Sequence, residues 1–286
     1  MSANLTSLAR AIALPAVVST CAVKERPRTD TAVPPVVTVI ATDFAFEASD
    51  TITAGFTTFR LVNNGDHLHM AQLIRLEGGR TLDDFLVAYN EAFRTKGPRP
   101  PWATRLGGPG GTDPHGSSST TQFLQEGHYA WICLMNIPDG IPHVVKAGMA
   151  KPFVVRARDR DAAPGVAPTP TMVIRLVDYA FEISTPLTAG RHIIRVENTG
   201  TEPHEVALVK LATGKTMPDF ESWMRNPQDL PPTNSVGGVS SFAANTEPTY
   251  FEIELTPGDY VLLCFVTAPD GLPHVAHGMI QHIRIG

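Results

Sequence analysis

Two sets of cysteine, histidine and methionine residues occur in the chain in the same order. The sets are His69, Cys133, His143 and Met149, followed by His204, Cys264, His274 and Met279. Each set offers one thiolate, two imidazoles and one thioether. Thiolate and thioether sulfurs favour Cu(I), whereas imidazoles tolerate Cu(II), so this combination suits a copper ion that changes oxidation state.

The two sets belong to a longer internal repeat. The segment D-F-A-F-E at 43–47 matches D-Y-A-F-E at 178–182, and His69 and His204 keep the same offset of 135 residues. Self-similarity of this length indicates two copies of one domain rather than a short repeat unit. We predict a leader and linker at 1–35, a first domain at 36–157, a linker at 158–169 and a second domain at 170–286, each domain of ordinary size.

Short segments bounded by Gly, Asn, Asp and Pro predict β-strands in both copies. They include 57–62, 71–76 and 128–133, with counterparts at 191–196, 206–211 and 259–264. Many short strands at this spacing favour a Greek-key sandwich. Apolar residues at helical spacing follow Thr81, and a matching segment follows Thr216, so each copy has one predicted helix. The predicted fold class is all-β, with two tandem Greek-key β-sandwiches that each carry one short inserted helix.

Composition agrees with a folded protein that has no affinity for nucleic acid. Hydrophobic residues make up 43% of the chain and charged residues 18%, with a net charge of −5. This charge leaves no basic surface for nucleic acid. The chain also has no run of 18 apolar residues that would predict a membrane-spanning helix.

The N-terminal segment resembles a secretory leader. Arg10 precedes a short apolar stretch that ends at Cys21, a place suited to lipid attachment. We therefore expect an extracytoplasmic protein attached to a membrane through a lipidated Cys21; an unstructured extension is the alternative. The two remaining cysteines, one in each predicted domain, argue against a disulfide framework. They could also be small buried residues, but this does not explain the histidine and methionine that follow each one.

The pattern around these cysteines resembles the cupredoxin family in both halves. It consists of a strand ending in Y-x-x-x-Cys, a loop with His, a Gly-Met pair before the last strand and an upstream N-x-G-x-x-x-His. The resemblance implies a Greek-key sandwich with a type 1 copper at one end, hence one copper per domain and up to two in total. It also implies electron transfer with a redox protein partner. The implied ligands are His69, Cys133, His143, Met149, His204, Cys264, His274 and Met279.

Enzymes of this family carry further histidines beside the cysteine. Multicopper oxidases have a His-Cys-His sequence and several H-x-H pairs, and copper nitrite reductases have a histidine directly before the cysteine. Here Ile132 and Leu263 precede the cysteines, and His67 and His69 form the one H-x-H pair. We therefore predict a carrier without catalytic residues. Copper capture and delivery, or a structural module with lapsed sites, are the alternatives, and oligomerisation is left open.

The spacing within the sets predicts a difference between the two sites. Five residues separate His143 from Met149, but four separate His274 from Met279. Since the longer path has to be accommodated, we expect Met149 to be the more distant axial ligand. The second site would then be closer to the ordinary geometry.

Overall fold

The computed structural model describes Met1 and residues 33–136, 139–159, 165–226 and 231–286. The predicted leader with Cys21 lies outside these residues. From residue 33 onward the described chain belongs to one compact unit. Among the described residues, none of the helices combines the length and the apolar character needed to cross a bilayer.

The first half contains nine strands and two helices among the described residues. They are β1 (Val36–Thr42), β2 (Ala45–Glu47), β3 (Thr51–Thr53), β4 (Gly55–Asn63), β5 (Gln72–Leu76), α1 (Leu82–Thr95), β6 (Ala103–Arg105), β7 (Ser117–Leu124), β8 (Gly127–Ile132), α2 (His143–Lys146) and β9 (Ala150–Arg156). The second half contains β10 (Met172–Val177), β11 (Ala180–Ile183), β12 (Gly190–Asn198), β13 (His204–Leu211), α3 (Met217–Arg225), β14 (Thr233–Phe242), β15 (Thr249–Leu255), β16 (Gly258–Leu263), a 3-10 helix (His274–His277) and β17 (Ile280–Ile285).

These strands form two β-sandwiches, as the sequence predicts. An eight-stranded sheet in the order β11-β10-β12-β15-β7-β4-β1-β2 runs through both halves. In the first half it faces the five-stranded sheet β3-β9-β8-β5-β6, and in the second half it faces the four-stranded sheet β14-β13-β16-β17. The all-β fold class with two sandwiches is therefore confirmed.

Side chains alternate along β8 between two hydrophobic layers. Trp131 points into the sandwich, where the centroid of its ring lies 4.7 Å from the ring centroid of Phe59. Cys133 belongs to the same hydrophobic core. Ile132 points to the opposite face of the sheet, where it packs beneath α1. Because both faces are covered, the strand is apolar and buried from Tyr129 to Ile132. The residue before the cysteine faces away from the interior of the sandwich.

The predicted helices are confirmed in both halves. Thr81 accepts a hydrogen bond from the backbone of Asp84, whose carboxylate accepts one from the backbone of Thr81, at 3.2 and 2.9 Å. This reciprocal capping box satisfies two amide groups that a helix start leaves unpaired. Thr216 and Asp219 repeat it at the start of α3. The helices therefore begin where the sequence places them and cover the outer face of the sheets that carry the cysteines.

The two sandwiches are joined by β7 and β14, which the sequence pattern does not predict. β7 pairs antiparallel with β15, with Thr120 opposite Phe251. The segment before β7 hydrogen-bonds to β14, since Gly107 N donates to Ser241 O at 3.1 Å and Ser240 N donates to Gly108 O at 2.9 Å. The junction is therefore built largely from backbone hydrogen bonds.

Candidate metal centres

Backbone pairing holds each cysteine next to its methionine. Cys133 N donates to Met149 O at 3.1 Å, and Cys264 N donates to Met279 O at 3.2 Å. These bonds extend the pairing of β8 with β9 and of β16 with β17 by one step. Each cysteine thus lies just beyond the end of one strand and each methionine just before the start of the next. The loop between them only has to position one imidazole.

The first set brings three donor atoms together in the interior of the protein. The Nδ1 atoms of His69 and His143 lie 3.7 and 3.4 Å from Cys133 Sγ, and 3.2 Å from each other. His69 and Cys133 are fully buried and His143 is 1% exposed. The three side chains therefore point at one small volume from which water is excluded.

The second set repeats this geometry. The Nδ1 atoms of His204 and His274 lie 4.0 and 3.4 Å from Cys264 Sγ, and 2.9 Å from each other. All three residues are fully buried. Both sets have the size of a site for one metal ion, because in each the donor atoms lie within 4.8 Å of one another.

The extra residue between His143 and Met149 is accommodated by the helical turn. In the first loop Ala147 N donates to His143 O, closing an α-helical turn, whereas the second loop has the tighter 3-10 turn from His274 to His277. Met149 and Met279 then form the same hydrogen bond to the cysteine backbone, and both are fully buried. The extra residue therefore does not displace the backbone of Met149. The expectation that its sulfur is the more distant ligand stays a prediction.

The N-x-G-x-x-x-His motif is a folded loop that presents the upstream histidine. The side-chain amide of Asn63 donates through Nδ2 to His67 O at 2.8 Å and to Thr112 O at 2.9 Å, and its Oδ1 atom accepts from Gly65 N. His69 N also donates to Thr112 O. Asn198 forms the corresponding bonds to Glu202, Phe242 and Gly200 in the second half. The residues that this motif repeats in the two halves thus fix the backbone that carries His69 and His204.

Asp43 and Asp178 are functional residues that sequence reasoning misses. His69 Nε2 donates to Asp43 Oδ1 at 2.9 Å, and His204 Nε2 donates to Asp178 Oδ1 at 3.0 Å. Such outer carboxylates fix the tautomer and orientation of a metal-binding histidine and raise its basicity. Both aspartates occupy the same place in the repeated D-F/Y-A-F-E segment, which is the signal that could have identified them.

Both aspartates are held in the ionised form. Burial works against ionisation of Asp43, but hydrogen bonds from the Asp66 amide and from His69 hold its pKa well below the usual range. Hydrogen bonds from the Thr201 side chain and from His204 lower the pKa of Asp178. A carboxylate can only accept, so the proton lies on Nε2 of each histidine and the lone pair of Nδ1 faces the cysteine.

The surroundings of the second histidine differ between the sites. His274 Nε2 lies 3.0 Å from Glu202 Oε2, and the hydroxyl of Tyr179 donates to Glu202 Oε1 at 3.0 Å. In the first site His143 Nε2 is buried without a hydrogen-bond partner among the described residues. The ring of Phe44 packs edge-on against His143, with centroids 4.9 Å apart.

Burial favours the neutral form of both cysteines and of three of the histidines in the metal-free protein. It raises the pKa of Cys133 to about 12 and also raises the pKa of Cys264. It lowers the pKa of His143 to about 4 and lowers the pKa of His69 and His274. A metal that binds as a thiolate complex must therefore displace the thiol proton but finds the imidazoles ready to coordinate.

The remaining histidines near the sites have partners of their own. His67 lies 3.1 Å from Asp43 and is 45% exposed, and His277 lies 3.0 Å from Asp270. Lys146, the counterpart of His277, is 3.5 Å from Asp139. The structure brings neither His67 nor His277 into the buried donor sets.

Comparison with solved structures finds blue copper proteins that match less than half of this chain and copper oxidases that match most of it. Auracyanin A, a "blue" copper protein from Chloroflexus aurantiacus, is 19% identical over 43% of this chain and 99% of its own, with a TM-score of 0.31. An azurin from Methylomonas sp. strain J is 11% identical over 44% of this chain and 98% of its own, with a TM-score of 0.28. A blue copper oxidase from Nitrosomonas europaea is 10% identical over 87% of this chain and 85% of its own, with a TM-score of 0.24. No family model matches the chain, and no curated protein matches it.

The fold and the two buried donor sets are similar to those of cupredoxins. The similarity lies in the two sandwiches and in the side chains that they bring together. One thiol, two imidazole nitrogens with free lone pairs and a nearby buried thioether fit copper better than a hard cation such as calcium, which prefers oxygen ligands. The chain is thus similar to cupredoxins, with donor sets for up to two copper ions.

Proposed function

We propose that the chain is an extracytoplasmic electron carrier with one type 1 copper site in each half. The ligands would be His69, Cys133, His143 and Met149 in the first site and His204, Cys264, His274 and Met279 in the second. The observation that carries this proposal is the pair of buried His–Cys–His sets whose Nδ1 atoms lie 3.4–4.0 Å from a cysteine sulfur. Bound copper would supply a one-electron Cu(II)/Cu(I) couple.

The surrounding residues suit a site that cycles without rearranging. Cys133 and Met149 are tied through their backbones, and Asp43 fixes the ring of His69. His143 N also donates to Met135 O at 2.8 Å, which anchors the loop on its other side. Because each ligand is held by the fold rather than by the metal, its position should change little when the oxidation state changes. Burial excludes water that would otherwise add to the coordination shell.

The neighbours of the cysteines favour a carrier over an oxidase or reductase. Ile132 and Leu263 are buried aliphatic residues that pack beneath α1 and α3. Neither side chain contains an imidazole that could bind a second copper ion next to the first. This supports electron transfer to a redox protein partner as the role of the bound metal.

Copper loading with visible spectroscopy tests the proposal. The oxidised wild-type protein should develop intense thiolate-to-copper charge-transfer absorption that disappears on reduction and returns on oxidation. Cys133→Ser should remove the share of one site and Cys264→Ser the share of the other. The double variant should remain colourless and serves as the matched control.

The same experiment separates the alternatives. Copper that is released on each reduction would indicate a capture and delivery protein instead of a carrier. A protein that takes up no copper, with both thiols freely titratable, would indicate a structural module.

A further inference from the structure

Glu202 and His67 occupy matching places in the two sites and differ in charge. They are 135 residues apart, the offset that also relates His69 to His204. Glu202 lies 3.0 Å from the outer nitrogen of His274, whereas the outer nitrogen of His143 has no hydrogen-bond partner among the residues that the structure describes. In the second site, each of the two imidazoles is therefore hydrogen-bonded to a carboxylate. In the first site, only the imidazole of His69 is.

A second, linked difference holds Glu202 in place. Tyr179 and Phe44 pack edge-on against His274 and His143 at similar distances, 5.1 and 4.9 Å between ring centroids. Only Tyr179 has a hydroxyl, and it donates to Glu202 Oε1 at 3.0 Å. One carboxylate oxygen is thus occupied by the tyrosine while the other faces the histidine. Phe44 could not orient a carboxylate in this way.

We infer that Glu202, oriented by Tyr179, sets the second copper site at a lower reduction potential than the first. This inference rests on the proposed function, because a potential exists only when copper is bound. A hydrogen bond to an ionised acceptor is about twice as strong as one between neutral groups. It makes the imidazole more basic, and the negative charge stabilises Cu(II) more than Cu(I).

The charged groups that contact the upstream histidines do not cancel this difference. Asp43 and Asp178 make the same contact to His69 and His204, so their effect is common to both sites. The side chain of Glu202 is only 22% exposed, so solvent screens its charge incompletely. His67, in the place of Glu202, has no carboxylate. At equilibrium, a single electron would therefore occupy the first site.

Single-site variants of the full-length protein measure the two potentials separately. Cys133→Ser leaves the second site and Cys264→Ser leaves the first, and spectroelectrochemistry follows the charge-transfer band of each. At a given applied potential, the ratio of reduced to oxidised copper should be at least about tenfold lower in the second site, equivalent to about 59 mV for a one-electron couple.

Two exchanges test whether Glu202 is the cause. In the Cys133→Ser background, Glu202→Gln keeps a hydrogen-bond acceptor but removes the charge, and should raise the potential by most of the difference. In the Cys264→Ser background, His67→Glu combined with Phe44→Tyr, which supplies the orienting hydroxyl, should lower the potential of the first site. Glu252→Gln, which removes a carboxylate that pairs with Arg191 on an exposed surface, is the matched control and should change neither potential.

The outcomes separate this inference from the proposed function. Equal potentials in the two single-site variants, or charge-transfer bands with potentials that neither exchange moves, would overturn the role of Glu202 and leave the copper sites intact. Absence of the bands in the wild-type protein would instead overturn the proposed function. His67→Glu does not alter Glu202, so it gives an answer even if Glu202→Gln binds no copper. The position of the His274 proton can be measured without copper. In the metal-free protein, nitrogen-15 NMR should show this proton on Nε2, where it forms the hydrogen bond to Glu202.

Discussion

Asp43 Oδ1 lies 2.9 Å from His69 Nε2, and this contact decides which ring nitrogen His69 turns toward Cys133. The carboxylate accepts a hydrogen bond from Nε2–H, so the proton stays on Nε2 and the lone pair of Nδ1 faces the inside of the site. Asp178 and His204 repeat the relationship at 3.0 Å. The ligands are therefore prepared for a metal before one binds.

Removing the Asp43 carboxylate should weaken copper binding at the first site. In the Cys264→Ser background, Asp43→Ala should lower the copper affinity of the first site by about 10- to 100-fold, the usual cost of losing such an outer partner. Competition titration against a copper chelator measures the change. Asp50→Ala, which removes a largely exposed carboxylate paired with Lys151, is the control. An unchanged affinity in Asp43→Ala would show that the fold alone orients His69.

Gly65 leaves the space that this contact needs. A Cβ atom at this position would overlap Asp43 Oδ1 and lie 3.0 Å from His69 Nε2. Gly65→Ala should therefore reduce copper affinity much as Asp43→Ala does, although it removes no polar group. Gly111→Ala adds a methyl group at ordinary contact distance from Leu68 and should have little effect. Equal affinities in the two variants would contradict the steric explanation.

The two methionines should make equal contributions. Because α2 accommodates the extra residue and both methionines form the same bond to the cysteine backbone, Met149→Leu and Met279→Leu should shift the spectrum and potential of their sites similarly. A weak axial ligand chiefly tunes potential, so copper should remain bound in both variants. Visible spectra of the single-site proteins make the comparison. A distinctly larger shift for Met279→Leu would instead support the prediction, made from the residue spacing, that Met149 is the more distant axial ligand.

The metal-free protein should lose stability as the pH falls from 6.5 toward 4. The pKa of His143 is about 4 in the folded protein and 6.5 in the unfolded chain, so the unfolded chain takes up the proton first. Its contribution is complete above pH 6.5 and is lost as the pH falls, by up to about 3 kcal/mol at 1.36 kcal/mol per pKa unit. Urea unfolding across this range measures the loss. His143→Gln should flatten the profile, and an identical profile would exclude His143 as its source.

Export remains a prediction about residues outside the described structure. If Cys21 is a lipid-attachment site, mass spectrometry of the native protein should find residues 1–20 missing and a modified Cys21. A cytosolic protein with an intact Met1 would refute this. Cys21→Ser should release the protein from membranes without changing its copper content.

The sequence identifies the site better than the junction, for physical reasons. Cysteine, histidine and methionine are uncommon enough that a doubled pattern of them is informative on its own. Asp43 is not recognisable in this way, because an aspartate at a strand end usually caps a turn. β7 is rich in serine and threonine, and β14 contains Gly237 and Gly238, so neither shows the alternating apolar pattern of a strand. Their polar residues become buried only when the two halves meet, which no local pattern can reveal.

The antiparallel pairing of β7 with β15 determines where the two sites face. β4, β7, β15 and β12 are neighbours, and each runs antiparallel to the next, so β4 and β12 point in opposite directions. His69 follows the end of β4 and His204 follows the end of β12. The two upstream histidines therefore lie at opposite ends of the eight-stranded sheet, so under the proposed function each copper site would meet a redox partner from its own side of the molecule.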